Sequence, residues 1–114
     1  MTAVVKSRFK LVFFVPPENR QAVQSAIFST GAGKYPGPGA YSECAWATLG
    51  TGQFRPGNEA KPHIGEVGKV EEVQEYRVEI LCHGDDVIRA AVRELKKTHP
   101  YEEPAYEVHR LEDL

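Results

Sequence analysis

RFKLVFFV, residues 8–15, decides how the rest of the chain is read. Phe9, Leu11, Phe13 and Val15 fall on one side of an extended strand, and Val12 and Phe14 make the other side apolar too. A strand apolar on both sides is covered on both sides. In a chain of 114 residues, the size of one ordinary domain, a helix layer supplies one cover. The second comes from another subunit or from a long loop. Pro16 and Pro17 end the strand, because neither can donate a ladder hydrogen bond.

Outward from that strand, Pro17, Glu18 and Asn19 suit the first turn of a helix. Ala22, Val23, Ala26 and Ile27 recur at helical spacing, and Gly31 supplies the stop. Residues 31–40, GAGKYPGPGA, read as a loop, and 41–51, YSECAWATLGT, as a second strand. A long connection over 52–68, GQFRPGNEAKPHIGEVG, has the length of a functional loop. Strand chemistry returns over 69–82, where Tyr76, Val78, Ile80 and Cys82 alternate with Glu75, Arg77, Glu79 and Leu81. Gly84-Asp85-Asp86 opens a second helix, with aspartate expected to cap its free amides. Val87, Ile88, Ala91, Val92 and Leu95 form its buried stripe, and His99-Pro100 ends it. Residues 105–111, AYEVHRL, make a last strand.

The order is βαββαβ. Two β-helix-β halves predict an α+β, ferredoxin-like split βαβ sandwich with both helices on one face, residues 1–114 forming a single domain. Val12 and Phe14 then look to the open face, either as a self-association surface or packed under the long loop.

Hydrophobic residues are 41% of the chain and charged ones 26%, the proportions of a soluble globular protein. A net charge of −2 leaves no clustered basic footprint for nucleic acid. The longest apolar run, 11–15, is far too short to span a membrane. Residues 1–10 lack the apolar stretch and cleavage site of a signal peptide, so a cytoplasmic location is expected. Cys44 and Cys82 lie far apart in apolar segments and read as two buried thiols.

Gly31-Ala32-Gly33 follows a helix and leads to a strand, the reverse of a phosphate-binding loop. The histidines 63, 83, 99 and 109 show no H-x-x-x-H spacing. His99 with Glu102 and Glu103 makes a mixed nitrogen and oxygen candidate for a divalent metal ion; the structural reading places His99 against the free carbonyls of its helix. No serine stands in an elbow motif, and no Cys-His-Asn order exists, so the chain reads as a non-enzyme. A hydrolase using a metal-bound water lacks ligands of adequate density. Two segments exceed what the fold needs. One is the 52–65 loop with Phe54, Arg55, Lys61 and His63; the other is the stiff corner His99-Pro100-Tyr101-Glu102-Glu103-Pro104.

Those two segments carry a resemblance. Gly52-Gln53-Phe54-Arg55-Pro56, Pro62-His63-Ile64-Gly65, Gly68, Glu72-Val73 and Glu75-Tyr76-Arg77-Val78-Glu79 resemble the domain inserted in the YqfO-like dinuclear-metal proteins, named for a yeast NGG-interacting factor. Gly31-Ala32-Gly33, Tyr41-Ser42-Glu43-Cys44 and the close from His99 to Tyr106 fit the same pattern, so the resemblance runs over nearly the whole chain. That inserted domain is similar to the PII and CutA proteins. The resemblance implies a homo-oligomer, a trimer, with a small ligand or protein partner held near the subunit clefts. It implies a stand-alone version of the inserted domain, without the flanking domains that carry the family's two-metal chemistry. Candidate ligand contacts are Phe54, Arg55, His63, His99, Tyr101, Glu102 and Glu103. The alternative is a divalent-metal-binding protein of the CutA cation-tolerance kind, with His99 and Glu102, or Cys44, as ligands.

Overall fold

The alternation over residues 8–15 becomes β1 (Arg8–Val15), an inner strand of a four-stranded sheet. A 3-10 turn (Pro17–Asn19) and α1 (Arg20–Phe28) follow, then β2 (Trp46–Phe54), β3 (Glu71–His83), α2 (Asp85–Thr98) and β4 (Tyr106–Leu111). The computed structural model describes residues 7–35 and 41–114; residues 36–40 of the expected glycine-proline loop, and 1–6, read above for a signal peptide, lie outside the described residues.

Strand order is β2-β3-β1-β4, every neighbouring pair antiparallel. β1 and β2 therefore run in parallel with β3 between them, and β3 and β4 in parallel with β1 between them. This is the split βαβ arrangement, each half straddling a strand of the other. Arg8 stands opposite both His83 and Leu111, so β1 starts where β4 ends. The core lies on one face: Phe9, Leu11, Phe13 and Val15 of β1 and Val78, Ile80 and Cys82 of β3 pack against Val23 and Ile27 of α1 and Ile88, Ala91 and Leu95 of α2.

The other face of β1 is roofed from within the chain. Val12 is 1% exposed and has Glu79 and Glu107 directly across from it, residues whose side chains share its face. Phe14 lies 5.9 Å below the Arg77 guanidinium, which itself meets Glu79 at 3.4 Å. Long charged stems on β3 and β4 thus cover part of what the apolar pattern alone leaves open.

Two local expectations are corrected. Gly84, at φ +92°, precedes α2, and no side chain caps that helix; Asp85 and Asp86 sit in its first turn, where they meet the positive end of the dipole instead. The thiols differ as well: Cys82 is fully buried, and Cys44 is only half-buried. Burial pushes the Cys82 thiol up to about 11, so it stays protonated.

The largest difference is the extent of β2. It starts at Trp46 rather than 41 and continues through Gly52 to Phe54, pairing Trp46 with Glu79 and Phe54 with Glu71. β1 reaches only to Val15, opposite Tyr76. Beyond that point residues 50–54 and 71–75 continue as a two-stranded ribbon, and the molecule measures 59 × 24 × 24 Å.

Candidate functional site

Where β1 stops, the corner after α2 takes its place beside β3. His99 leaves the helix in an extended conformation (φ −69°, ψ 139°), the region favoured before a proline. Its ring is 7% exposed and reaches across to β1. Nε2 donates to the Phe14 carbonyl at 2.7 Å, and Nδ1 accepts the Tyr101 amide at 3.1 Å. A ring that donates from one nitrogen and accepts at the other is neutral, with its proton on Nε2. Burial holds its pKa below the usual histidine value, the Phe14 bond opposing and His63 assisting. Contact with the helix carbonyls, the structural role expected for this side chain, is replaced by a bond to β1. On the same edge of β1, the Phe14 amide donates to the Ala105 carbonyl at 3.3 Å.

The loop 55–70 folds back on itself. Arg55 Nη1 donates to Gly68 O at 2.8 Å, and the Gly68 amide donates to Pro56 O at 2.8 Å. A further bond latches this loop to the corner: the Lys61 amide donates to Glu102 Oε2 at 2.8 Å. Tyr101 is the pivot, its ring centroid 4.8 Å from that of His99, 6.3 Å from His63 and 6.4 Å from Phe54.

Loop, ribbon and corner enclose a cleft of about 300 Å³. Phe54, His63, Tyr101, Glu102 and Glu103 all line it, so five of the seven residues singled out from the sequence come together from segments some forty positions apart. Arg55 is turned to the loop backbone, and His99 is packed behind Tyr101 with both ring nitrogens engaged. Cys44 is not near them: it precedes β2, Phe54 ends it, and the strand between spans roughly 25 Å at ~3.3 Å per residue. The set His99, Glu102 and Cys44 therefore does not converge, and no three His, Cys, Asp or Glu side chains among the described residues gather as metal ligands.

Sequence reasoning missed Glu75, which it placed on a polar strand face. A Cβ at Gly52 would fall on the Glu75 carboxylate, so the glycine leaves that carboxylate room to lie across β2 into the cleft. The available signal was the glycine itself, since glycine inside a strand marks close approach by another group. Burial, then the Glu75 and Glu18 carboxylates, push the Tyr101 phenol above its ordinary value, and it stays protonated throughout the physiological range. Its oxygen is shielded from solvent.

No family model matches the chain. It is 44% identical over 108 residues to a GTP cyclohydrolase 1 type 2 homolog of Mycobacterium leprae, covering 94% of this chain and 27% of that protein. The homolog of Bacillus subtilis is 42% identical over 103 residues, covering 90% and 26%. Among solved structures, a Bacillus cereus protein related to NIF3 superposes with a TM-score of 0.78 at 32% identity, covering 99% of this chain and 28% of the other. CutA1 of Ehrlichia chaffeensis gives 0.67 at 14% identity, covering 97% and 87%, a likeness of fold. The chain spans about a quarter of the length of the curated relatives it matches. It has the PII/CutA-like, ferredoxin-like α+β fold, and nearly all of it is similar to a quarter-length segment of NIF3-related GTP cyclohydrolase 1 type 2 homologs.

Proposed function

We propose that this chain is a non-enzymatic binding or sensor module of the PII/CutA kind, cytoplasmic and trimeric, whose small ligand or protein partner occupies the cleft between loop 55–70 and the corner after α2. The observation that carries this reading is the convergence of Phe54, His63, Tyr101, Glu102 and Glu103 on one cleft latched by the Lys61–Glu102 bond. Groups with displaced titration are employed structurally rather than poised for proton transfer: His99 bridges two backbone groups, the Cys82 thiol is buried, and Tyr101 is held protonated. The cyclohydrolase chemistry in the relatives' name belongs, on this reading, to the remainder of those longer proteins.

Assembly is supported by the projecting ribbon. Two strands alone are marginal in water, and Trp46 on β2 is 60% exposed. Light scattering at micromolar concentration is expected to give three times the chain mass of 12.7 kDa. Cytosolic metabolites screened by heteronuclear NMR are expected to shift amides of 53–64 and 101–105. A monomer, or ligand shifts confined to other surfaces, would sink this reading.

A further inference from the structure

The lining of the cleft narrows the chemistry of what it takes, an inference that rests on the binding reading above. Three carboxylates, Glu75, Glu102 and Glu103, face the space, and among the described residues no lysine or arginine side chain lines it. Arg55, next in sequence to the lining residue Phe54, is withdrawn to the Gly68 carbonyl. An anionic ligand would meet three carboxylates here, with the His63 imidazole as the basic side chain in the lining. Phe54, His63 and Tyr101 supply aromatic walls around the same space, their centroids within 6.4 Å of the Tyr101 ring. Aromatic faces attract cations, and most of all weakly hydrated organic ones.

A bare divalent ion is a poorer fit. It needs several oxygen ligands converging at short range, and among the described residues no such group of three forms. Glu102 already accepts the Lys61 amide, and prolines 56 and 62 with Ile64 make much of the remaining wall apolar. Carboxylates spread around an aromatic and apolar pocket suit a cation whose charge is distributed over carbon-bound hydrogens. Gly52 adds to this: it is the position that gives the Glu75 carboxylate space. We propose that the cleft binds a small organic cation through an alkylammonium group, held by the Phe54 and Tyr101 rings and by Glu75 and Glu103.

Calorimetric and NMR titration of the full chain with choline and spermidine tests this, set against 3,3-dimethyl-1-butanol, the uncharged isostere of choline. At least one cation is expected to shift the amides of 53–64 and 101–105. The neutral isostere is expected to bind at least about tenfold more weakly, and Phe54→Leu and Glu103→Gln to weaken the cation about fivefold each with unchanged circular dichroism. Equal binding of the neutral isostere, or cation affinity indifferent to both variants, overturns the proposal. Inorganic phosphate and ATP separate the two levels of inference. Anions shifting cleft amides where cations do not would end the organic-cation proposal and leave the binding module standing. Silence from both cations would likewise end the organic-cation proposal, the binding reading then resting on its own mass measurement and metabolite screen.

Discussion

His99 has one ring nitrogen for each of two backbone neighbours, and only the neutral ring serves both. Protonation would turn Nδ1 from acceptor into donor against the Tyr101 amide. Because burial lowers its pKa in the folded chain, the folded state binds fewer protons than the unfolded one below the unfolded value. The stabilisation is complete above about pH 6.5 and is lost as pH falls through the folded pKa. Urea midpoints measured from pH 7.5 to 4.5 are therefore expected to drop more steeply for the native chain than for His99→Asn, which does not titrate. The variant itself should cost about 1–3 kcal/mol at neutral pH through poorer satisfaction of buried groups. Parallel slopes would refute this role. The sequence marks His99 as chemistry-bearing, since it stands before a proline beside an aromatic and two acids. Its partners are not legible there, because Phe14 lies 85 positions away and becomes a neighbour only when β1 ends beside the corner.

Among the elements, β1, α1, β3 and α2 show in their periodicities, because each buries one face against a common core. β2 does not read as cleanly. Gly50 falls in the strand expected over 41–51, but Gly52 and the rest of the 52–68 stretch look like loop. In the structure those glycines are strand residues paired with Glu75 and Val73, and the second makes space for a carboxylate rather than for a bend. Gly52→Ala is expected to push Glu75 out of that space. The net stability change should stay within about 1 kcal/mol, since removing strand glycine partly offsets the displacement. With Glu75 gone, the Tyr101 phenol loses one of the influences that raise its pKa, and its titration followed by carbon NMR of the ring is expected to move downward. An unchanged Tyr101 titration would mean that Glu75 does not act on the phenol as described.

For the molecule as a whole, the length is 59 Å against 24 Å across, and the two-stranded ribbon beyond β1 is covered by loop 55–70 and the corner only where they form the cleft. If the exposed β2 edge is an assembly surface, Trp46→Glu at its start should lower the light-scattering mass toward one chain while leaving the far-UV spectrum intact. An unaltered mass would move the interface elsewhere. Motif text at the loop and the corner was enough to point to the fold and to the relatives it shares. What pattern could not give was the meeting of the two segments, which depends on how far β1 extends and on the Lys61–Glu102 bond. Finally, Arg8 and Leu111 are paired residues on antiparallel strands, so the chain comes in and goes out about 5 Å apart. A host protein whose gene was interrupted by this one would see its cut ends rejoined across a single strand spacing. Such a graft would ask almost no rearrangement of a host's surface loop.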